Sequence, residues 1–396
     1  MDKMIQAKDN VQREHLNAWA KKNYKGTSIA ATGVGKTRMG LLAVAHVLEN
    51  DPKATALIVV PTENLRNNEW PNEIKKWKLT KFKSRIDIQC IQTVYKLKNY
   101  HWTILVVDEV HTTLSPQYRN LYENNTWDHI YCLTATMPEN DEYRKYLKSF
   151  APKVRETDTL EALSLGLISN YKVYNLPIDF TEDEIKEYNK WDILFNKATN
   201  QLGGRFVAFQ EASKNRNSPD KDKAKWANIF YIAMQKRKHI CYNAVNKLET
   251  IKQIVDKFSD RKGLIFSESI IFAEQLQEKL GDECITFHSK IKLKEKKEVL
   301  KKFGDGRTKV RIISSVKALN AGLDVPECSL GVCAAGSSKA LDNIQRKGRT
   351  LRLVEGKVSI YVNLYVRGSQ ELKWVQKRTK DEFNCKWINN LDEITV

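Results

Sequence analysis

The stretch Ala30-Ala31-Thr32-Gly33-Val34-Gly35-Lys36-Thr37 decides how this chain is read. It follows a short apolar run and opens an apolar segment, Met39 to Leu48, with helical spacing. The reading is a strand, a glycine-rich turn and a helix N-terminus. Glycines at 33 and 35 let backbone N–H groups crowd around an anion, which also meets the positive end of the helix dipole. In that setting Lys36 reaches β- and γ-phosphates and the Thr37 hydroxyl ligates Mg²⁺. Thr32, Val34 and Arg38 are further candidates for holding the nucleotide. The general phosphate-loop pattern asks for glycine where this chain has Ala30, so the octapeptide alone leaves a chance glycine-lysine turn open.

A second segment sharpens the reading. In Thr103-Ile104-Leu105-Val106-Val107-Asp108-Glu109-Val110-His111 an apolar, β-branched run delivers two carboxylates at its C-terminal end. Such a run reads as a buried parallel strand, and open α/β sheets bind ligands at that end. Asp108 is the candidate for holding Mg²⁺ through water, and Glu109 for orienting and deprotonating the attacking water. A capped turn would also use paired acids, but a phosphate loop upstream makes NTP hydrolysis the stronger reading.

Composition narrows the class. At 396 residues, with 41% hydrophobic and 29% charged, the chain has the make-up of a globular protein large enough for two domains. No apolar run approaches the roughly 20 residues that span a bilayer, which predicts no membrane partner. The start, Met1-Asp2-Lys3-Met4, carries no signal-peptide core. Seven scattered cysteines without a C-x-x-C pair predict reduced thiols and a cytoplasmic location, the host cytoplasm if the gene is viral. A formal charge of +18 predicts a polyanionic partner, nucleic acid first among them.

Strand and helix patterns alternate over residues 1–150, at Thr27–Ala31, Thr55–Val60, Ile86–Gln92, Thr103–Val107 and His129–Leu133. Residues 151–180 read as a linker and the first strand of a second domain, and 181–258 as a charged helical insertion broken by Gly203-Gly204 and by Asn215–Lys223. Within the insertion, Lys223-Ala224-Lys225-Trp226, Phe230-Tyr231 and Lys236-Arg237-Lys238 suit a surface laid against duplex phosphates, with helix packing as the other use of the aromatics. Alternation resumes over 259–367, and 368–396 reads as a basic, aromatic tail. The expected fold is α/β, two parallel-sheet domains in tandem with the insertion near the start of the second.

Only one phosphate loop serves two α/β halves. In Gln345-Arg346-Lys347-Gly348-Arg349-Thr350-Leu351-Arg352 a helix would put Arg349 and Arg352 on one face with Gln345 a turn behind. Rigid guanidinium forks suit a γ-phosphate and its transition state, although a solvated basic helix would look similar. Just upstream, Gly322 and Asp324 offer a flexible turn and an acid for a ribose hydroxyl or a turn cap.

Together these segments resemble the superfamily 2 helicases and translocases, whose fold is two RecA-like domains in tandem. The family's A-x-T-G-x-G-K-T loop matches Ala30 to Thr37, which accounts for Ala30. Its Asp-Glu-x-His box matches Asp108 to His111, its Ser/Thr-Ala-Thr element Thr134-Ala135-Thr136, its G-x-D-x-P stretch Gly322 to Pro326, and its Q-x-x-G-R-x-x-R element Gln345 to Arg352. The box with histidine is of the DEAH/DExH type, and the insertion and compact length resemble UvsW-type fork remodellers, XPB-like translocases and restriction-enzyme motors. A Lys/Asn/Ile-rich composition suggests a phage gene.

The resemblance implies an ATP-dependent DNA helicase or translocase, monomeric on DNA, with ATP and Mg²⁺ as cofactors. It assigns Lys36, Asp108, Glu109, Gln345, Arg349 and Arg352 to catalysis, and Thr37 and Asp108 to the metal. Gln12 would read adenine, while His111, Thr134 and Thr136 would relay closure. Pro61, Thr62, Arg66 and Thr93 in the first half, and Phe266, His288, Ser289, Lys290 and Lys317 in the second, would meet the nucleic-acid backbone. DNA is favoured over RNA. An RNA helicase, or a nucleic-acid-binding scaffold with little ATPase activity, stays open as the alternative, whereas a phosphate-loop kinase would have no use for the second half.

Overall fold

The computed structural model describes residues 2–316, 328–336, 358–380 and 382–395. Lys317, Gly322, Asp324, Gln345, Arg349 and Arg352 lie outside the described residues. The chain divides between Asn170 and Tyr171 into two compact units.

The first unit carries, among the described residues, six parallel strands, β1 (Lys25–Ala30), β2 (Ala56–Val60), β3 (Ile86–Cys90), β4 (His101–Asp108), β5 (Thr126–Thr134) and β6 (Lys153–Thr157), in the order β3-β2-β4-β5-β1-β6. Both faces of the sheet are covered, so its central strands are apolar at every position rather than at alternate ones. Ile58, Val60, Ile104 and Val106 enter one core, under the helices Asp2–Ala20 and Lys36–Asn50. Their neighbours Leu57, Val59, Leu105 and Val107 enter the opposite core with Leu121 and Leu147. Stretch 153–157, expected as linker, is the edge strand β6, paired with β1. Its sequence Lys-Val-Arg-Glu-Thr is polar because an edge strand need bury little.

The second unit carries, among the described residues, seven parallel strands: β7 (Tyr171–Ile178), β8 (Gly263–Ser267), β9 (Cys284–His288), β10 (Ile312–Val316), β11 (Leu330–Cys333), β12 (Ser359–Val366) and β13 (Cys385–Trp387). Their order is β13-β7-β12-β11-β8-β10-β9. Residues 368–396 are therefore not a tail. Strand β13 extends the sheet beside β7, Ile388 and Ile394 are buried in the core, and the Tyr174 hydroxyl donates to Thr395 O at 2.8 Å. Nor is the segment basic: Lys373, Lys377, Arg378, Lys380 and Lys386 are balanced by Glu371, Asp381, Glu382, Asp392 and Glu393.

Between β7 and β8 the helices Glu182–Gln201, Ala208–Asn215 and Lys221–Tyr242 form an arm with a small core of its own around Ala198, Leu202, Ala208, Ala212, Ala227 and Phe230. A capping box between Thr181 and Glu184 starts it, and Asp220 caps its returning helix. The following helix, Val245–Lys257, was expected within the insertion. It belongs to the sheet layer instead, because Ile251, Ile254 and Val255 pack into the main core. Arg237 is likewise no open phosphate contact: it is buried, paired with Asp192 at 2.7 Å and stacked 4.2 Å over Phe195.

The foot of the arm is clamped. Lys247 is wholly buried, and its ammonium donates to Cys241 O (2.8 Å), Ala334 O (2.7 Å) and both oxygens of Glu371 (2.9 and 2.8 Å). Among the described residues no helix is long and apolar enough to cross a membrane.

Candidate nucleotide-binding site

The parallel register of the first sheet brings the phosphate loop and the acids to one edge. Ile29 of β1 lies opposite Thr134 of β5, and Leu133 lies opposite Asp108 of β4. Strand β5 thus separates β1 from β4, about 9–10 Å at ordinary strand spacing. That gap leaves room for side chains to meet above the strand ends.

The loop runs from Ala31 to Gly35 and feeds the helix Lys36–Asn50. Gly33 and Gly35 take φ of 98° and 101°, which L-residues seldom adopt. Gln12 fixes the loop from the side, with its amide nitrogen donating to Val34 O at 2.8 Å and its carbonyl accepting from Arg38 at 2.8 Å. Arg38 also pairs with Asp9 and lies 4.1 Å over the Trp77 ring. Gln12 is buried with both ends of its amide engaged, so it braces the loop rather than presenting a free amide to a base. Behind it His15 bridges Ser28 Oγ and Thr157 Oγ1, each at 2.9 Å, and Ser28 Oγ meets the Tyr131 hydroxyl at 2.8 Å. Burial, aided by Arg155, pushes the His15 imidazole down to about 4, so it is neutral.

Among the described residues Lys36 has only long contacts, to Ala30 O at 3.4 Å and to Glu109 Oε1 at 3.7 Å. Its ammonium is left with capacity for an anion. Asp108 is buried and accepts from the indole N–H of the fully buried Trp70 at 3.2 Å. Burial, with the Glu109 carboxylate adding to it, holds Asp108 well above the usual carboxylate range. A cation would relieve that cost. Glu109 sits in the left-handed region at φ 49°, and its Oε2 is buried without a hydrogen-bond partner among the described residues.

His111 links the box to the end of β5. Its Nδ1 lies 2.9 Å from Thr134 Oγ1 and 3.4 Å from Glu109 Oε2. The Thr134 hydroxyl donates to Thr136 O at 2.7 Å and accepts from Thr136 N at 3.3 Å, so His111 must be the donor to it. Burial, with Lys36 adding and Glu109 opposing, lowers the His111 pKa. The neutral ring with hydrogen on Nδ1 follows. Its Nε2 is then a bare, buried acceptor with no partner among the described residues.

These residues fit a magnesium nucleotide. Glycine dihedrals open the loop, a Cβ on Gly35 would overlap Gln12, Lys36 is held loosely, and two acids stand at the strand end. Among the described residues no cluster of His, Cys, Asp and Glu would hold a metal without the nucleotide's own oxygens.

Around this edge the first-half backbone candidates gather. Val60 lies opposite Cys90, so Pro61 and Thr62 beyond β2 come beside the helix Ile91–Val94 that carries exposed Thr93. Gln92 donates to Pro61 O at 3.2 Å across the gap. Arg66 follows one turn on, its Nε donating to Asn67. In the second unit His288 and Ser267 both lie opposite Val316, with Ser289 and Lys290 exposed beyond. Phe266 is corrected: its ring is 2% exposed, inside the sheet, and cannot touch a ligand. Trp70 and Trp77 were not assigned to the nucleotide site from sequence, because nothing in a lone tryptophan signals a carboxylate or guanidinium partner.

Comparison with known proteins agrees with this architecture. Residues 5–139 match the family described as type III restriction enzyme, res subunit, and 246–354 match the helicase conserved C-terminal domain. The DNA 3′-5′ translocase XPB2 of Sulfurisphaera tokodaii is 25% identical over 380 residues, 93% of this chain and 83% of that protein. Nucleolar RNA helicase 2-B of Xenopus laevis is 31% identical over 128 residues, 31% of this chain but 16% of that protein. The crystal structure of the Pyrococcus furiosus Hef helicase domain superposes with a TM-score of 0.60 at 15% identity, covering 93% of this chain and 98% of that one. With its motifs in family order on two parallel-sheet units, the chain belongs to the superfamily 2 helicases and translocases, enzymes that hydrolyse ATP.

Proposed function

We propose that this protein is a DNA-dependent ATPase that moves along or remodels duplex and branched DNA. The observation that carries the ATPase reading is the meeting of Lys36, Glu109, His111 and Thr134 above three adjacent strand ends. DNA is preferred to RNA because the long match, over 93% of the chain, is to a DNA translocase, while the RNA helicase match is local.

Lys36 and the backbone N–H groups of 33–37 would take the phosphates, and Gln12, Asp9 and Arg38 keep the loop in shape. Thr37 and Asp108 would hold Mg²⁺, which when bound neutralises phosphate charge. Glu109 would orient the attacking water and accept its proton. Its Oε2, without a hydrogen bond among the described residues, and its left-handed backbone fit that task. Arg349 and Arg352 are assigned to developing phosphate charge, and Gln345 to the same element. Neutral His111 would pass the state of Glu109 to Thr134 and Thr136. Pro61, Thr62, Arg66 and Thr93, with His288, Ser289 and Lys290, would follow phosphates, giving binding without sequence preference and with strong salt dependence.

The test is the ATPase rate with single-stranded, duplex, forked and four-way DNA, with RNA alongside. Stimulation greatest with duplex or branched DNA supports the reading. Equal stimulation by RNA overturns the DNA preference, and a rate that no nucleic acid changes overturns the motor.

A further inference from the structure

The arm of the second unit ends in a turn that folding does not explain. Residues 203–207, Gly-Gly-Arg-Phe-Val, join its first two helices. Phe206 is fully exposed, Phe209 is 59% exposed, and Arg205 and Val207 are open as well. The turn is nonetheless fixed. Leu202 and Ala208 on either side are buried in the arm's core, and Gly203 and Gly204 take left-handed φ of 87° and 93°. Gly204 N donates to Thr199 O at 2.9 Å, and Ala208 N to Gly204 O at 2.9 Å. An aromatic ring is therefore held out into solvent by an ordered backbone.

Basic charge gathers toward the outer end of the same arm. Its foot is balanced, with Glu182, Asp183, Glu184, Glu187 and Asp192 against Lys186 and Lys190 and against Lys236, Arg237 and Lys238 of the returning helix. The outer part carries Lys197, Arg205, Lys214, Arg216, Lys221, Lys223 and Lys225 against Glu211, Asp220 and Asp222. The returning helix runs antiparallel to the first, since Lys197 lies 5.6 Å over Trp226 while Arg237 meets Asp192 nearer the foot. Its basic start therefore shares the outer end with the turn. A rigid exposed ring inside a basic field suits a base stacked on the ring while neighbouring phosphates are neutralised.

We infer that the turn 203–207 is a nucleobase-stacking tip, with Phe206 taking an unpaired or frayed base at a duplex end or junction. This rests on the DNA-motor reading and adds to it the place where a branch would be felt. Arg205 and the Lys221–Lys225 segment supply the phosphate contacts on either side.

The probe is forked DNA carrying 2-aminopurine at the junction, compared with the same base inside a closed duplex. The unaltered protein should change emission at the junction base and leave the internal one alone. Phe206→Ala should abolish that change and weaken fork binding by about fivefold to a hundredfold, while Phe206→Trp retains both. Thermal melting of Phe206→Ala should be unaltered, since the ring is fully exposed. Unchanged junction emission and fork affinity in Phe206→Ala, with DNA-stimulated ATPase intact, would overturn the stacking tip alone. Absence of any DNA stimulation in the unaltered protein would overturn the motor reading and the tip with it.

Discussion

Replacing Gly35 by alanine tests how the phosphate loop is held. Two costs can be separated. The backbone stands at φ 101°, ψ 47°, where an L-residue costs about 1–3 kcal/mol. The new Cβ would also overlap Gln12, whose amide must then leave Val34 O and Arg38. Two hydrogen bonds at about 1 kcal/mol each add about 2 kcal/mol. Gly35→Ala should therefore destabilise the first unit by about 3–5 kcal/mol. In a Gln12→Ala background the overlap is gone, and the same change should cost only about 1–3 kcal/mol. The coupling between the two positions is then about 2 kcal/mol, near a thirtyfold effect on an opening equilibrium. Hydrogen exchange of the β1 amides, measured without nucleotide on all four proteins, reads that equilibrium directly. Equal costs in both backgrounds would refute the bracing role of Gln12 and leave only backbone strain.

Lys36→Ala should abolish ATP hydrolysis and leave DNA binding largely intact, and Glu109→Gln should stop turnover while still binding ATP; gel shifts and nucleotide titration beside the ATPase assay check both. Arg349→Ala should lower kcat by about 10³–10⁵ with a smaller change in KM, and a raised KM at unchanged kcat would make it a ground-state contact. His15 contributes stability that is fully present above pH 6.5 and lost as pH falls through about 4, because the fold favours its neutral form. The gap corresponds to about 3 kcal/mol, and urea unfolding of the first unit at pH 7.5 and pH 4 should show it shrink in His15→Asn. Lys247→Met should destabilise the second unit by about 3–5 kcal/mol by stranding Glu371, and adding Glu371→Gln should restore much of the loss in thermal melting.

The phosphate loop and the Asp-Glu box were legible because their chemistry is local: a left-handed glycine, a lysine and a strand-end acid must sit at fixed spacing. What pairs with them was not. Trp70 reaches Asp108 across 38 positions, and Gln12 reaches Val34 across 22, on contacts that no periodicity announces. Edge strands were hidden for a different reason. Strands β6 and β13 lie at the margins of their sheets, so Lys153–Thr157 and Cys385–Trp387 look like connectors until a neighbour pairs with them. Phe266 shows the limit of the strand-end rule, which places a residue along a strand but not on a face. Arg237 shows the same limit on a helix, where a basic triplet includes one member turned inward.

The clamp at the foot of the arm turns that arm into a lever. Lys247 ties the end of the returning helix, through Cys241 O, to Ala334 after β11 and to Glu371, while Tyr188 near the start of the first helix accepts from Gln370 N at 2.9 Å. Both legs are thus bolted to the same sheet and cannot swing separately from it. The first leg is 20 residues long, about 30 Å of helix. A turn of the second sheet by about 10° would carry the far end through about 5 Å, more than the rise of one base pair. Small angular work at the sheet would thus arrive at Phe206 as displacement on the scale of a nucleotide, and loosening Lys247 should cost stroke before it costs ATP turnover.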